Sequence, residues 1–333
     1  MDYQIVATLG PASQSESVWE AMLAVGVSAF RLNTSHLSLA ELDSWLARFQ
    51  NFFAGQKSRV PLVLDLQGSK WRLGTFEPRQ LAAGQRLKLV HAAELDREGV
   101  LPVPHEDFFI AASHSTAEIV LNDAKVRLRL ESAGQKRVEA VVTQAGPVSS
   151  GKGITFTDSD YRIETLKKKD RRILERTRDL DFVRYAVSYI RDAAEMARYR
   201  AFVDPSAYLI AKLERQPAVD EGQGIAASAD ELWLCRGDLG AELGLAAMAE
   251  VVGRFLDKSR HVQIPTLLAG QVLEHMRAAP LATRAEICNL YDILVRGYSG
   301  VVLSEETAIG SYAIEACRTA ALFKNRALDR ANA

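Results

Sequence analysis

Short apolar runs alternate with amphipathic helical segments along most of this chain, and this alternation restricts its fold more than any other feature. The runs are bounded by polar or turn residues, as expected of strands buried on both faces of a parallel sheet. They lie at residues 4–9, 28–33, 61–65, 181–186, 208–211, 232–235, 264–268 and 300–303. Eight such units predict an α/β (β/α)8 TIM barrel, with a doubly wound open sheet as the competing architecture.

The helical segments carry apolar residues at helical spacing and begin at capping residues. We predict helices at residues 15–25, 38–53, 167–178, 191–199, 246–260, 284–295 and 312–326. Short connections between these helices and the neighbouring strands favour a closed barrel.

The alternation breaks off between residues 69 and 153, where β-like segments are separated by Gly, Pro, Asn and Asp. The segments lie at residues 86–90, 118–121, 126–130 and 138–143. This pattern predicts a small all-β lid domain inserted after the third strand, with residues 1–68 and 154–333 forming the barrel. A domain inserted at this point is expected to stand over the carboxyl ends of the barrel strands.

Composition excludes several classes of function. The chain has 333 residues, 48% of them hydrophobic, and a formal net charge of −1, so it lacks the overall positive charge that favours nucleic acid. We expect no membrane span, because no apolar run approaches the roughly 20 residues that a span requires. Three widely spaced cysteines, Cys235, Cys288 and Cys317, form no CxxC pair and suggest a reducing, cytoplasmic location.

Polar residues follow four of the predicted barrel strands at the point where each ends. In a parallel barrel these strand ends lie on one face, which is where barrel enzymes bind their ligands. Any one of these residues could instead be a helix cap or a turn residue, but their occurrence on successive strands favours a site. The residues are Arg31, Asn33, Ser35, Asp65, Lys212, Glu214, Arg236 and Asp238.

The residue types in this set suit phosphoryl chemistry with a divalent metal. Glu214 and Asp238 could bind Mg²⁺, which prefers one or two carboxylates and leaves positions for substrate oxygens. Lys212 and Arg31 could neutralise a phosphoryl group during transfer. Lys152, between Gly151 and Gly153, could approach with the lid, although a solvated loop lysine is the simpler interpretation.

Motifs along nearly the whole chain resemble those of the pyruvate kinase family. The first two include the ends of the first and second predicted strands, and the others lie further along the chain. In chain order they are Ile5-Val-Ala-Thr-Leu-Gly-Pro-Ala-Ser13, Phe30-Arg-Leu-Asn-Thr-Ser-His36, Leu64-Asp-Leu-Gln-Gly68 with Arg72, Ile210-Ala-Lys-Leu-Glu214, Cys235-Arg-Gly-Asp-Leu-Gly240, Thr283-Arg-Ala-Glu286 and Leu303-Ser-Glu-Glu-Thr-Ala308.

The resemblance implies transfer of the phosphoryl group of phosphoenolpyruvate to ADP, with Mg²⁺ or Mn²⁺ as the metal and ADP or ATP as co-substrate. It assigns phosphoryl stabilisation to Lys212, phosphate contact to Arg31, and the metal to Glu214 and Asp238. It places a monovalent-cation site at Asn33, Ser35 and Asp65. It further implies nucleotide or phosphate contacts for His36, Arg72 and Lys152, and a substrate-binding turn at Arg236, Gly237 and Asp238.

Lys70 marks a departure within this resemblance. Members that depend on K⁺ carry Thr-Lys-Gly-Pro-Glu after the strand-three Asp, whereas this chain has Leu66-Gln67-Gly68-Ser69-Lys70. The combination resembles the K⁺-independent branch, in which the Lys70 ammonium would supply the positive charge of a bound K⁺. We therefore count Lys70 with Lys212, Arg31 and Arg72 among the catalytic residues and expect no K⁺ requirement.

Two further departures affect the predicted proton-delivery side of the site. The family's Ala-Thr-Gln-Met segment corresponds to Ala269-Gly-Gln-Val272, so Gly270 replaces a threonine linked to enolate protonation. Ile287-Cys-Asn289 stands where the family usually has Gly-Ser-Asp, which removes a second hydroxyl. The sequence ends at Ala333, so we expect no carboxyl-terminal allosteric domain, no regulation by sugar phosphates, and a homodimer.

Two alternative functions remain open from the residues alone. A metal-dependent lyase or aldolase acting on pyruvate or phosphoenolpyruvate would use the same two carboxylates for enolate chemistry. The second alternative is a non-catalytic protein that binds a metabolite. Buried charged residues that have no function are costly to stability, which speaks against this alternative.

Overall fold

Eight parallel strands close into a barrel, which confirms the predicted fold class. The structure, a computed structural model, describes residues 3–55, 59–115, 118–122, 124–157, 166–258 and 262–324. Within these ranges the strands are β1 (Gln4–Thr8), β2 (Ala29–Asn33), β3 (Leu62–Leu66), β4 (Arg79–Leu81), β5 (Arg86–Val90), β6 (Val100–Pro102), β7 (Glu118–Leu121), β8 (Val126–Gly134), β9 (Arg137–Gln144), β10 (Gly146–Val148), β11 (Ile154–Phe156), β12 (Val183–Val187), β13 (Tyr208–Leu213), β14 (Glu231–Cys235), β15 (Thr266–Ala269) and β16 (Gly300–Leu303).

Helices follow most barrel strands. They are α1 (Glu16–Ala24), α2 (Leu39–Phe52), α3 (Glu106–Ala112), α4 (Lys168–Thr177), α5 (Ala193–Phe202), α6 (Gln216–Asp220), α7 (Gly222–Ala226), α8 (Arg236–Leu243), α9 (Leu245–Lys258), α10 (Arg284–Val295), α11 (Glu305–Ala308) and α12 (Ala313–Ala320). Capping boxes begin two of them, with Ser38 and Glu41 at α2 and Thr283 and Glu286 at α10. The short helices α6 and α7 were not indicated by the sequence pattern.

The chain divides into two compact units. The barrel unit comprises Met1–Gln67, Lys167–Arg236 and Glu250–Ala333, and the second unit comprises Gly68–Leu166 and Gly237–Ala249. The predicted lid, residues 69–153, falls within the second unit, which also takes in residues from the segment after β14.

The barrel unit has the strand order β1-β16-β15-β14-β13-β12-β3-β2, with every neighbouring pair parallel. Its interior is filled by inward-facing residues that include Val6, Val63, Ile210, Trp233 and Val302. Strands such as β3 and β14 are buried at every residue, which explains their mainly apolar sequence. Because the barrel is filled, polar groups can meet only at its ends.

The second unit is built on β-sheets. Six strands form one sheet in the order β11-β7-β8-β9-β5-β6, and β10 pairs with β4 in a two-stranded sheet. The short helix α3 packs the buried aromatics Phe108 and Phe109 into the core of this unit, with Phe108 edge-to-face against Trp71 at 5.4 Å. Among the described residues, no helix of either unit is long and apolar enough to cross a membrane.

Candidate active site

Four neighbouring strand ends of the barrel unit bring five polar side chains into one hydrogen-bonded group. Arg31 comes from β2, Asp65 from β3, Ser188 directly follows β12, and Lys212 and Glu214 belong to or directly follow β13. We call these five residues the strand-end cluster. Parallel strands end on the same face of a barrel, so residues distant in sequence meet here because of topology alone.

Asp65 is the centre of the strand-end cluster. Its carboxylate accepts hydrogen bonds from Arg31 Nε at 2.8 Å and Nη2 at 2.5 Å, from Ser188 Oγ at 3.0 Å, and from Lys212 Nζ at 3.2 Å. The residue is 2% exposed. Both carboxylate oxygens are thus occupied by donors, and two of these donors carry full positive charges.

The ionisation of Asp65 and Lys212 follows from this arrangement. Burial alone would raise the pKa of Asp65, but the nearby Lys212 ammonium and Arg31 guanidinium hold that pKa well below its usual range. Burial would likewise lower the pKa of Lys212, but Asp65 and Glu214 raise it above its usual range. The two shifts agree, so both groups are charged at neutral pH.

Lys212 links the centre of the strand-end cluster to Glu214. Its ammonium lies 2.9 Å from Glu214 Oε1 and donates to Ser188 Oγ at 2.8 Å. The other oxygen of Glu214 accepts a hydrogen bond from the Tyr189 backbone N–H at 2.7 Å, and Tyr189 adopts a left-handed φ of 63°. This unusual backbone conformation directs an amide toward the carboxylate and helps to fix its orientation.

Two neighbouring residues in the first turn of α4 hold the segments that follow β2 and β3. Lys169 Nζ donates to the carbonyl oxygens of Thr34 at 2.6 Å and Ser35 at 3.4 Å. Asp170, 1% exposed, accepts from the Gln67 backbone N–H just after β3. Helix α4 therefore joins the ends of β2 and β3, which carry the predicted phosphate and cation contacts.

The predicted monovalent-cation residues are only partly brought together. Asp65 is committed to the strand-end cluster, whereas Asn33 caps its own turn by accepting from the Ser35 backbone N–H at 3.2 Å. Ser35 is half-buried and His36 is exposed at the end of the same 3-10 turn. The assignment of these residues to a cation or a nucleotide stays a prediction.

Arg236, at the end of β14, holds the segment that follows β15. Its guanidinium donates to the carbonyl oxygens of Gly270 and Gln271, each at 2.9 Å, and to Asn289 Oδ1 at 3.0 Å. Burial lowers the pKa of Arg236 below its usual range. Arg236 therefore fixes this loop through three neutral oxygens, and its substrate-binding role stays a prediction.

Gly270 and Gln271 both adopt left-handed backbone conformations, with φ of 89° and 52°. A residue with a β-branched side chain is strained in this region, whereas glycine enters it at little cost. A threonine at residue 270, which the resemblance implies for other members of the family, would supply a hydroxyl but would be strained in this backbone conformation.

The second unit contains the remaining predicted site residues. Lys70 Nζ lies 2.5 Å from Asp238 Oδ2, a pairing that the sequence did not suggest. Arg72 donates from Nη1 to the Gly151 carbonyl oxygen at 2.8 Å. Lys152 is half-buried, and its carbonyl oxygen accepts from the Leu73 backbone N–H. Gly237 and Asp238 lie in the first turn of α8, where backbone N–H groups have no partner inside the helix.

Two members of this arrangement were missed in the sequence. Ser188 bridges Lys212 and Asp65, and Thr8, at the end of β1, accepts from Arg31 Nη1 at 2.8 Å. Both are hydroxyl residues at strand ends, the same signal that identified the others. Ser188 was overlooked because the strand before it was predicted to end at Ala186, whereas β12 continues to Val187.

The carboxylates fit a hard divalent cation. Glu214 and Asp238 are each in contact with an ammonium group, Lys212 at 2.9 Å and Lys70 at 2.5 Å, which a bound cation would have to displace. Oxygen ligands of this type suit Mg²⁺ or Mn²⁺. Glu214 belongs to the barrel unit and Asp238 to the second unit, so their joint use of one ion stays a prediction.

Comparison with known proteins shows which family this chain resembles. The family described as "Pyruvate kinase, barrel domain" matches residues 2–317. A pyruvate kinase of Agrobacterium vitis is 34% identical over 94% of this chain and 66% of its own length. One of Aeropyrum pernix is 30% identical over 97% of this chain and 70% of its own length.

The fold agrees with these similarities. The crystal structure of a pyruvate kinase from Cryptosporidium parvum superimposes with a TM-score of 0.84, at 21% identity, over 98% of this chain and 69% of that chain. This chain thus spans about two thirds of the length of the curated relatives that it matches.

Proposed function

Because this chain belongs to the pyruvate kinase family, we propose that it transfers the phosphoryl group of phosphoenolpyruvate to ADP. The observation that carries the proposal is the buried Lys212 ammonium, held between Asp65, Ser188 and Glu214 at the carboxyl ends of the barrel strands. A buried, permanently charged ammonium in this position can stabilise a transferring phosphoryl group with no reorganisation. Supporting this role, Asp65 and Glu214 raise the pKa of Lys212.

The residues have distinct proposed roles. Lys212 neutralises the phosphoryl oxygens during transfer, and Arg31 contacts the phosphate while Asp65 and Thr8 fix its guanidinium. Glu214 and Asp238 would hold Mg²⁺, which when bound supplies charge neutralisation to phosphate oxygens. The first-turn N–H groups of α8, at Gly237 and Asp238, would receive the substrate carboxylate.

The nucleotide contacts and the cellular setting are also part of the proposal. We assign His36, Arg72 and Lys152 to the nucleotide or its phosphates, on the basis of the motifs that contain them. A cytoplasmic location is proposed by analogy with the family and agrees with three cysteines that are free thiols. A homodimer is proposed as well, and light scattering coupled to size-exclusion chromatography tests it.

Phosphoryl transfer is expected to need no K⁺. The resemblance implies that the Lys70 ammonium takes the place of a bound K⁺, so a free monovalent cation should add little to the rate. In a buffer with tetramethylammonium as the monovalent cation, saturating K⁺ should change the rate by less than about tenfold, a barrier change under about 1.4 kcal/mol. A Lys70→Glu variant, which reverses this charge, should gain K⁺ activation. Activation of the wild-type chain by more than this amount contradicts the prediction.

A Gly270→Thr variant tests the altered proton-delivery side of the site. Restoring the hydroxyl should speed pyruvate formation at least about tenfold relative to a Gly270→Val variant, because positioned proton donors contribute about 10²–10⁴. Both variants should lose about 1–3 kcal/mol of stability, since a β-branched residue is strained at the φ of 89°. Pyruvate formation coupled to lactate dehydrogenase measures the first effect, and thermal unfolding measures the second. Equal rates for the two variants would show that the hydroxyl has no role here.

A metal-dependent lyase is the second candidate, favoured by the absence of a side-chain hydroxyl at Gly270. Such an enzyme would direct the enolate to an acceptor other than a proton. Following phosphoenolpyruvate by ³¹P NMR with and without ADP separates the two reactions. A kinase consumes phosphoenolpyruvate only with nucleotide, whereas a lyase consumes it without nucleotide. If neither phosphoenolpyruvate nor Mg²⁺ with nucleotide shifts the melting temperature, the non-catalytic alternative is favoured.

A further inference from the structure

Lys70 and Asp238 form a close, partly buried ion pair in the second unit. The distance from Lys70 Nζ to Asp238 Oδ2 is 2.5 Å, and the two side chains are 11% and 15% exposed. A charge-assisted contact this short and this shielded is stronger than an exposed surface pair. Asp238 is also one of the two residues that we propose as ligands of the divalent metal.

The backbone around Lys70 holds the ammonium at this carboxylate. Trp71 and Arg72, the next two residues, pair with the segment at Gly153 and Ile154, through the Ile154 N–H to the Trp71 carbonyl oxygen and a bridge between Arg72 and Gly153. Gly153 lies directly against the lysine side chain. A Cβ at Gly153 would be 3.0 Å from Lys70 Cε and 3.5 Å from Nζ, so only glycine leaves the lysine its full space.

One carboxylate oxygen cannot stay in close contact with an ammonium group and a divalent metal ion together, because the two cations repel each other. We propose that Lys70 competes with the divalent metal for Asp238 and thereby sets the metal affinity of the chain. This inference rests on the proposed function only in taking Asp238 as a metal ligand. Metal binding would displace the Lys70 ammonium and leave it available to an anionic substrate.

The proposal predicts that metal and anion binding are coupled through Lys70. Once the metal displaces the Lys70 ammonium from Asp238, the ammonium can interact favourably with a phosphate or carboxylate of the substrate. Binding of the anion should therefore tighten binding of the metal. Without the lysine, the metal should bind more tightly to the protein that has no anion bound, and the anion should increase the metal affinity by a smaller factor. Replacement of K⁺ by Lys70 concerns only the charge present when substrates are bound. The competition proposed here also sets the metal affinity before substrates bind.

Mn²⁺ titration followed by EPR measures metal affinity without any turnover. We expect Lys70→Met to bind Mn²⁺ roughly tenfold more tightly than the wild-type protein, because the metal no longer has to break a charged hydrogen bond between Lys70 and Asp238. Lys70→Arg keeps the positive charge and should stay near the wild-type affinity. Lys136→Met removes one charge from an exposed position of the same unit and controls for net charge.

A Gly153→Ala variant provides an independent route to the same result. Its added Cβ would lie 3.0 Å from Lys70 Cε and 4.0 Å from Asp238 Oδ1, so the lysine side chain must shift. We expect this shift to weaken its contact with Asp238, so that Mn²⁺ binds more tightly although Lys70 is present. Thermal unfolding confirms that each variant is folded before titration. Tightening in Lys70→Met and Gly153→Ala, with none in Lys136→Met, supports the proposal.

Two other outcomes overturn distinct claims. Equal Mn²⁺ affinity in the wild-type protein, Lys70→Met and Gly153→Ala overturns the competition and leaves the proposed function intact. Absence of Mn²⁺ binding in all of them, with phosphoenolpyruvate present as well, overturns the metal assignment of Asp238 and with it the proposed function.

Discussion

A Lys212→Met variant is expected to lose phosphoryl transfer by at least about a thousandfold, because preorganised charge is the main source of catalysis in this reaction. Met has a similar length but carries no charge, so the variant removes the ammonium that Asp65, Ser188 and Glu214 hold in place. The fold should persist, since Asp65 keeps its bonds to Arg31 and Ser188. Single-turnover ATP formation measures the loss, and circular dichroism checks the fold.

Two further variants separate charge from structure in this experiment. Lys212→Met combined with Glu214→Gln removes both members of one ion pair, which limits the cost of leaving a buried carboxylate without its partner. It should be more stable than the single variant and equally inactive. Lys168→Met, at an exposed position in α4, serves as the control for loss of a lysine. Transfer within about tenfold of the wild-type rate in Lys212→Met would remove Lys212 from the mechanism.

An Asp65→Asn variant is expected to lose about 3–5 kcal/mol of stability at neutral pH, because it leaves two buried cations without their shared anion. Arg31 and Lys212 both contact this carboxylate, and the residue is 2% exposed. Urea unfolding at fixed pH measures the difference. Asp181→Asn is the matched control, since Asp181 pairs with Arg59 at the surface and its side chain is 83% exposed. The control should change stability by less than about 1 kcal/mol.

The difference between wild-type protein and Asp65→Asn should depend on pH in a defined direction. The folded-state pKa of Asp65 lies below its value in the unfolded chain, so the folded protein binds fewer protons at this site. The stabilisation is therefore fully present above the unfolded pKa of about 3.9 and is lost as pH falls toward the folded value. The stability gap should be constant from neutral pH to about pH 5 and shrink below it. A gap that widens on acidification would contradict the assigned charge state.

The sequence predicted the barrel because its strands are buried on both faces and alternate with capped helices. Gly300–Leu303 and Arg284–Val295 were placed correctly at both ends, since turn residues and a capping box mark them. Helices α6 and α7 were missed because each is five residues long, which is too short for a helical repeat to be recognised.

The candidate site was predicted in part, for a physical reason. Strand-end position identified Arg31, Asp65, Lys212 and Glu214, and their convergence follows from parallel topology. Which partner each side chain selects depends on distances of a few tenths of an ångström, and the sequence carries no such information. The pairing of Lys70 with Asp238, the bonds from Lys169 to the Thr34 and Ser35 carbonyl oxygens, and the left-handed backbone at Gly270 all needed the structure.

Single-turnover transfer tests the central claim most directly, because it measures the phosphoryl step separately from enolate protonation. Enzyme in excess over phosphoenolpyruvate is mixed with ADP and Mg²⁺, quenched, and assayed for ATP. The proposed function predicts one ATP for each phosphoenolpyruvate consumed, even if release of pyruvate is slow because of Gly270. Consumption of phosphoenolpyruvate without ATP, or no consumption at all, would contradict the assignment of this chain as a phosphotransferase.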